Sequence, residues 1–211
     1  MIIQDWGVID FREAWRRQRE LVDAVMRSEQ PDTLVLCEHP AVITLGRNTQ
    51  PDSVVIGREI LAANGIEVLE IDRGGDATVH DRGQLVGYPI FNLTRTKQDL
   101  HWFLRTMEQC IIDAISTFQV SSGRLDGLTG VWIEESRKIC AIGIHCSRWV
   151  TSHGFAVNVN NDLSLFDSII PCGIRERGVT SIQKELGRLL DLEEVKIRVQ
   201  EAFRKNFGIT P

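Results

Sequence analysis

Apolar residues recur at intervals of three and four in three long stretches of the chain, the spacing expected of amphipathic helices. The first stretch, DFREAWRRQRELVDAVMRSE, opens with Asp10 as a candidate cap, followed three residues later by Glu13. The other two read QDLHWFLRTMEQCIIDAISTF and LEEVKIRVQEAFRKNFG. A shorter segment, REILAANG, is expected to form a helix that ends at Gly65. The pattern predicts helices that each pack one face on a core.

Short β-prone runs separate these helical stretches. TLVLCEHPAVITLG contains two of them, broken at His39-Pro40, and IEVLEID and QLVGYPIFNL each indicate one strand. Farther along, GVWIEE, RKICAIGIHCSRW and TSHGFAVNVN follow one another closely enough to pair as hairpins. Isolated strands between helices, together with antiparallel neighbours, predict an α+β fold with a mixed β-sheet flanked by helices.

The segment RGGDATVHDRGQLVGYPI, residues 73–90, joins two of the predicted strands and is rich in glycine. Glycine permits positive φ and close approach of the backbone to another group. We therefore interpret its first part as a loop built around a binding site. His80 and Asp81 are adjacent and are not expected to act as an acid-base pair; a hydrogen-bonded His80 that orders the loop is favoured.

Composition narrows the class of protein. The 211 residues fit one domain of ordinary size, with 43% hydrophobic and 25% charged residues. A net charge of −5 argues against nucleic acid as the main partner. No run approaches the roughly 18 apolar residues that would span a bilayer, and the first residues lack a secretory apolar core. We expect a protein of the cytoplasm without a membrane partner.

The chain has five cysteines, an odd number that does not suggest a disulfide framework. Cys140, His145, Cys146 and His153 lack the tight Cys-x2-Cys pairing of structural zinc sites, so we expect no metal and free thiols. Cys172 differs from the others because it lies between Pro171 and Gly173, in a predicted turn.

A reactive role for Cys172 would require a cation nearby, since the ordinary thiol pKa is about 8.5. Lys138, at the start of the strand ICAIGIHC, is a candidate. Its position is equally compatible with a solvated charge at a strand end, and an exposed but inert cysteine in a turn is also common.

Five segments together resemble one enzyme family, the lipoyl(octanoyl) transferases, or octanoyl-acyl carrier protein:protein N-octanoyltransferases. They read CEHPAVITLGRNT, RGGDATVHDRGQLVGYPI, KICAIGIHC, HGFAVNVNNDLSLFDSIIPCGI and GVTSI, in the order of the family and over most of the chain. The resemblance implies the fold of the biotin/lipoate ligase catalytic domain, with residues 1–211 as a single octanoyltransferase catalytic domain.

The resemblance also implies the roles of individual residues. Cys172 corresponds to the nucleophile, and Lys138 to the lysine that lowers the pKa of that cysteine. The implied acyl pocket comprises Arg73, Gly74, Gly75, Asp76, Ala77, Thr78, Val79 and His80, then Ala141, Ile142 and Gly143, and finally Gly154, Phe155 and Ala156. Asp76 and Val79 stand where members often carry glutamine and an aromatic residue, and Asp81-Arg82 where Gly-Pro is common.

The implied reaction moves an octanoyl group from octanoyl-acyl carrier protein through a Cys172 thioester to a lysine of a lipoyl domain. The implied acceptors are the lipoyl domains of 2-oxoacid dehydrogenase complexes and the glycine cleavage H protein, and no ATP or other cofactor is required. Backbone N–H groups near Gly143 or Cys172 are open alternatives for the oxyanion. Because the partners are acidic in these families, we expect a positive rim near Cys172, with Arg73, Arg82, Arg148, Arg175 and Arg177 as candidates.

Two other functions stay open at this point. An ATP-dependent lipoate or biotin ligase would use a lysine like Lys138 with an adenylate, and Cys172 would be incidental. A non-catalytic protein that binds acyl carrier or lipoyl domains would need neither residue.

Overall fold

The computed structural model describes residues 1–170 and 177–208. The helices are α1 (Phe11–Met26), α2 (Arg58–Ala63), α3 (Leu100–Ser116), α4 (Ile182–Leu186) and α5 (Leu192–Asn206). The strands are β1 (Ile2–Val8), β2 (Thr33–Glu38), β3 (Val42–Leu45), β4 (Glu67–Glu70), β5 (Ala77–His80), β6 (Gln84–Ile90), β7 (Gly123–Leu125), β8 (Leu128–Ile133), β9 (Arg137–Ser147), β10 (Val150–Asn158) and β11 (Gly178–Val179). Leu93–Arg95 and Ser164–Ser168 form short 3₁₀ helices.

The strands form two mixed sheets. The large sheet has the order β1-β2-β6-β10-β9-β8-β7, with β11 beside β9, and the small sheet has the order β4-β3-β5. In the large sheet β1 runs parallel to β2 and β11 parallel to β9, whereas the other pairs are antiparallel. The predicted mixed sheet and the hairpins β8–β9 and β9–β10 are confirmed.

Helices cover both faces of the large sheet. On one face α3 and α5 pack on Leu34, Leu85 and Phe155, and Phe203 of α5 is fully buried there. Burial of one such side chain stabilises the fold by about 1.5–3 kcal/mol. On the other face, α1 packs through Ala14 and Val25 on residues of β2, β6 and β10. We call the first of these clusters the α3/α5 core.

The predicted helices agree with the observed ones because their signals are local. Asp10 caps α1 by accepting hydrogen bonds from the N–H groups of Arg12 and Glu13. Gly65 follows α2 with a φ of +73°. None of the helices in the described ranges is both long and apolar enough to cross a membrane.

The interpretation of the first part of residues 73–90 as a loop is wrong for residues 77–80. Ala77–His80 forms β5, which pairs antiparallel with β3, and β4 and β6 lie in different sheets. The segment therefore crosses from the small sheet to the large one. The pattern also gave no indication of β1, an edge strand whose residues are exposed or half-buried and do not alternate.

The four cysteines that the structure describes are free thiols. Cys37, Cys110 and Cys140 are fully buried, and burial raises the pKa of each thiol above its ordinary value. These three thiols pack as small hydrophobic groups, as the sequence predicts for strand and helix cysteines. Cys172 lies outside the described residues.

Candidate active site

A cavity of ≈ 610 Å³ lies beside the large sheet, and small residues form its floor. Ala141 of β9 pairs with Ala156 of β10, and Gly143 pairs with Gly154 two residues along, so the four positions face the same side of the sheet. All four positions border the cavity. Larger side chains here would occupy the space above the strands, so these small residues leave room for a ligand.

The segment Arg73–Gly75 covers this floor from above. The N–H of Gly74 donates to the carbonyl oxygen of Ile144 on β9 over 2.8 Å. A Cβ atom on Gly143 would lie 2.5 Å from the carbonyl oxygen of Gly74, closer than real Cβ contacts allow. Glycine at position 143 is therefore what lets the covering segment approach the sheet this closely.

Arg73 braces the covering segment from inside the protein. Its guanidinium donates to the carbonyl oxygen of Thr44 (2.8 Å), to the Thr44 hydroxyl (3.0 Å) and to the carbonyl oxygen of Gly74 (3.1 Å). The side chain is buried with 8% exposure, so the prediction that Arg73 contributes to an exposed positive rim is wrong. A guanidinium held by neighbouring carbonyls ties the segment to β3.

Lys138 enters the cavity because of an irregularity in β9. Val131 of β8 pairs with Cys140, but the next residue, Trp132, pairs with Lys138, so β9 has one extra residue at this point. Ile139 and Cys140 both pack in the α3/α5 core, whereas Lys138 borders the cavity. Such a bulge shifts the alternation of side chains and redirects the residues beyond it.

The ammonium group of Lys138 is held in a largely enclosed position. The residue is 7% exposed, and its Nζ lies 4.6 Å from the centroid of the Trp132 ring, a cation–π distance. β11 pairs with β9 here: Val179 is opposite Lys138, and the N–H of Thr180 donates to the Lys138 carbonyl oxygen over 3.0 Å. The chain that follows residues 171–176 is thus fastened directly beside this lysine.

A buried chain of polar side chains orders one wall of the cavity. His80 Nδ1 lies 2.8 Å from Oε1 of Gln84, and Gln84 Nε2 donates to Oδ1 of Asn158 over 2.9 Å. Asn158 Nδ2 in turn donates to the Thr180 carbonyl oxygen over 3.0 Å. Because the Gln84 amide nitrogen is used as a donor, its oxygen must accept, which assigns the proton to Nδ1 of His80.

Burial keeps His80 neutral. It lowers the pKa of His80 to about 3, and His39 nearby adds to this effect. Asp81, the neighbour in sequence, instead accepts from the Arg82 N–H at the exposed turn between β5 and β6. The two residues do not interact as an acid-base pair, in agreement with the sequence-based expectation.

A histidine–carboxylate pair lies at the far end of the floor. His153 is opposite Ile144, six residues along β9 from Lys138, which corresponds to about 20 Å of strand. Its φ of +56° is unusual for a residue other than glycine, and its Nε2 lies 2.7 Å from Oδ1 of Asp72. The hydrogen bond from His153 lowers the pKa of Asp72 to about 2.

A family model described as the lipoyl protein ligase A/B catalytic domain matches residues 10–204 of this chain. The chain belongs to this family. Curated relatives include the octanoyltransferase of Rubrobacter xylanophilus, 49% identical over 204 residues, which cover 96% of this chain and 91% of that protein. The octanoyltransferase of Bacteroides fragilis strain YCH46 is 44% identical over 207 residues, 94% of both chains. The chain is accordingly an enzyme of the acyltransferase class.

Solved structures of lipoate protein ligases and of biotin protein ligases share the fold. A bipartite lipoate protein ligase of Thermoplasma acidophilum, studied with its E2 lipoyl domain, has a TM-score of 0.76 and 18% identity over 99% of this chain and 84% of that one. The biotin protein ligase of Aquifex aeolicus, in complex with biotin and ATP, has a TM-score of 0.60 and 15% identity over 98% and 69%. The predicted fold class and family are confirmed.

Nearly all the predicted site residues that the structure describes lie together around the cavity. Lys138 and every predicted pocket residue except Val79 border the cavity. Val79, in the small sheet, is fully buried in a hydrophobic cluster that includes Ile43 and Phe166. Phe155 borders the cavity, but its ring lies over Gly87 and packs against Phe203 in the α3/α5 core.

Asp76, one of the departures from the family pattern, has a local structural role. Its Oδ1 accepts from the Ser53 hydroxyl and from the N–H of Ala77, both over 2.6 Å. The carboxylate thereby fixes the start of β5 against the chain that follows β3, which leaves the neighbouring Thr78 and His80 on the cavity.

Several cavity residues were not singled out from the sequence. They include Phe11, Gln84, Tyr88, Asn158 and Phe166, and His153 was considered only as a zinc ligand. Tyr88 and Gln84 fall in the QLVGYPI part of the glycine-rich segment, which was interpreted only as a strand. Because β6 is buried on both faces, its polar residues were a usable signal: buried polar side chains need partners and mark a site or a network.

Proposed function

We propose that this protein transfers an octanoyl group from octanoyl-acyl carrier protein to a lysine of lipoyl domains, with Cys172 as the intermediate carrier. One observation carries the proposal: a cavity above small residues has Lys138 at one end, and the chain on both sides of the Cys172 segment is attached beside it. Before that segment, the Ile170 N–H donates to the Ser53 carbonyl oxygen over 2.8 Å, and after it β11 pairs with β9 at Lys138.

Chain length supports a reactive contact between the two residues. Cys172 is two residues beyond Ile170, and an extended chain covers at most about 3.6 Å per residue. Ser53, which binds Ile170, also donates to Asp76 on the cavity. A cysteine within about 7 Å of that anchor can reach the cavity, and Lys138 provides the cation that would lower its pKa.

The first step exchanges one thioester for another. The Cys172 thiolate attacks the octanoyl carbonyl, the new C–S bond forms, and the C–S bond to the carrier breaks. The departing carrier thiolate takes a proton from the ammonium of Lys138. The step needs no nucleotide because the energy of the thioester is retained on the enzyme.

The second step forms the amide. The neutral amine of the acceptor lysine attacks the enzyme thioester, the C–N bond forms, and the C–S bond to Cys172 breaks. Lys138, now neutral, accepts the proton that the nitrogen loses, which restores the starting ion pair. Amide resonance makes this step favourable, so no cofactor is required.

The size and lining of the cavity fit a medium-length acyl chain. Cavities of about 300–1,000 Å³ are usual for small-molecule sites. The seven carbons beyond the octanoyl carbonyl contribute ~5 kcal/mol if buried at about 0.8 kcal/mol each. Lys138 and His153 mark the two ends of the floor, and the small residues between them give the chain space along the sheet.

Family membership supports the choice of acceptors. The Thermoplasma acidophilum ligase was studied with an E2 lipoyl domain, and we extend that class of acceptor to this chain: lipoyl domains of 2-oxoacid dehydrogenases and the glycine cleavage H protein. We assign residues 1–211 to one octanoyltransferase catalytic domain. An ATP-dependent ligase is the competing function, since a structure of this fold binds biotin and ATP.

Intact-mass measurement tests the proposal. After mixing with octanoyl-acyl carrier protein and no ATP, the wild-type enzyme should gain one octanoyl group and lose it to an added lipoyl domain. Cys172→Ala should gain none, and Lys138→Ala should acylate at least about tenfold more slowly. Cys146→Ala is the matched control, because Cys146 is a partly exposed thiol and should not matter. Octanoylation of the lipoyl domain that needs ATP and free octanoate would establish the ligase instead.

A further inference from the structure

Glu108 is a fully buried carboxylate on α3, outside the cavity. A buried carboxylate is costly unless cations and hydrogen-bond donors surround it. Its Oε2 accepts from Arg105 over 2.8 Å and from Arg124 over 3.1 Å. Its Oε1 accepts from the backbone N–H of Gly130 on β8 over 3.0 Å. One carboxylate oxygen of Glu108 therefore binds both arginines, and the other binds the backbone of β8.

Gly130 connects this carboxylate to Lys138. Gly130 has a φ of +122°, and a Cβ atom there would lie 2.6 Å from the Cys140 carbonyl oxygen and 3.5 Å from Cε of Lys138. The stem of Lys138 thus passes directly over Gly130, while the ring of Trp132, two residues along β8, lies against its ammonium group. Both contacts belong to the strand that Glu108 holds.

The pairing of β8 with β9 makes this support necessary. The extra residue of β9 lies between the Val131–Cys140 and Trp132–Lys138 pairs, so the regular ladder is interrupted at Lys138. A strand pair with a bulge has a local hydrogen-bonding defect. The Glu108–Gly130 hydrogen bond fastens β8 to α3 one residue before the bulge, where the ladder alone holds it least firmly.

We propose that Glu108 is a positioning residue: through Gly130 it fixes the stretch of β8 that supports the Lys138 side chain. The role in transfer rests on the proposed function, whereas the effect on the place of Lys138 does not. A carboxylate that only balanced Arg105 and Arg124 would not need to bind Gly130, so the two roles predict different results.

Asp113 on the same helix provides a matched control. It accepts from Gln109 (2.7 Å), Lys205 (2.9 Å) and Asn206 (3.1 Å), and so ties α3 to the end of α5. It is a hydrogen-bonded acidic residue like Glu108, but its partners lie away from β8. Its loss should weaken packing without changing the support of Lys138.

The test compares Glu108→Ala, Glu108→Asp and Asp113→Ala in the full chain. Glu108→Asp keeps a negative charge beside Arg105 and Arg124, but its side chain is one methylene too short to accept from the Gly130 N–H. This variant replaces Glu108→Ala in the test if the alanine variant does not fold. The first readout is trace amine labelling of Lys138, followed by peptide mass mapping and normalised to the exposed Lys97. The second is kcat and KM for the octanoyl donor.

We expect both Glu108 variants to raise the relative labelling of Lys138 several-fold and to lower kcat by about tenfold or more with little change in KM, because small misplacements of a reacting group are costly. Asp113→Ala should leave both readouts near wild type. Labelling and kcat unchanged in Glu108→Asp would overturn the proposal. If the wild-type enzyme transferred no octanoyl group, the proposed function would be refuted. The proposed role of Glu108 would still be tested, because the labelling reports the position of Lys138 without any transfer.

Discussion

Gly143→Ala should disturb the cavity through a single added methyl group. The new Cβ would lie 2.5 Å from the Gly74 carbonyl oxygen and 3.3 Å from Cδ of Arg73. Ordinary contact begins at 3.4 Å, so the covering segment must retreat by 3.4 − 2.5, or roughly 0.9 Å. The backbone of Gly74 cannot move aside as a flexible side chain could.

The cost follows from what that movement breaks. The hydrogen bond from the Gly74 N–H to the Ile144 carbonyl, now 2.8 Å, would be lost or strongly lengthened. Overpacking typically costs about 1–3 kcal/mol, and a lost hydrogen bond about 1 kcal/mol. We therefore expect the free energy of unfolding to fall by about 2–4 kcal/mol. Transfer should slow by up to about 100-fold, since a 1 Å shift of a substrate-positioning segment has that effect.

Urea unfolding and steady-state transfer from an octanoyl thioester measure the two effects. Gly123→Ala is the matched control, because nothing lies within 4 Å of a Cβ at that position in β7. It should leave stability and transfer within experimental error of wild type. If Gly143→Ala also stayed within about 0.5 kcal/mol of Gly123→Ala, with an unchanged KM, the covering segment would not be held against the sheet as the structure describes.

Two further predictions concern the cavity floor and acid stability. Ala156→Val should reduce the space above β10 and raise the KM for octanoyl donors more than for butanoyl donors; an equal rise for both would place the chain elsewhere. Burial lowers the pKa of His39 to about 4 and of His80 to about 3, while the unfolded chain binds these protons near pH 6.5. The contribution of the two neutral histidines to the free energy of unfolding should therefore be fully present above pH 6.5. It should decrease on acidification towards pH 4, by up to about 1.4 kcal/mol per pH unit for each histidine. His80→Gln should reduce this slope in urea titrations at several pH values, and a slope identical to wild type would contradict the assignment.

The sequence predicted those elements whose signals are contained in their own residues. The long helices follow from periodicity and from the Asp10 cap, and β8, β9 and β10 from consecutive apolar runs. β5 was missed because glycine and polar residues surround its short ATVH run, and its strand conformation comes from pairing with β3, about 35 residues earlier. Long-range pairing of this kind leaves no periodic mark in so short a segment.

The same distinction applies to the candidate site. Motifs identified many of the residues that border the cavity. They did not indicate the direction in which two of the side chains point. Lys138 faces the cavity because β9 has an extra residue opposite β8, and His153 adopts a positive φ beside Asp72. Bulges and left-handed residues arise where tertiary contacts override local preference, so a single sequence gives no sign of them. Val79 shows the reverse case, since alternation in β5 directs it into the core.

Fold and chemistry are separate questions for this family. The same scaffold occurs in a biotin ligase with bound ATP at 15% identity, so the sheets and the cavity alone are compatible with an adenylate or with a thioester. Identity of 44% and 49% to octanoyltransferases, over nearly the whole chain, supports octanoyl transfer, for which we propose the thioester. Two contacts of the described residues support that proposal. Ile170 binds Ser53, whose hydroxyl donates to Asp76 on the cavity, and β11 pairs with β9 at the backbone of Lys138. Under the proposed function, this attachment limits how far Cys172 can lie from Lys138, which a thioester mechanism requires and an adenylate mechanism does not.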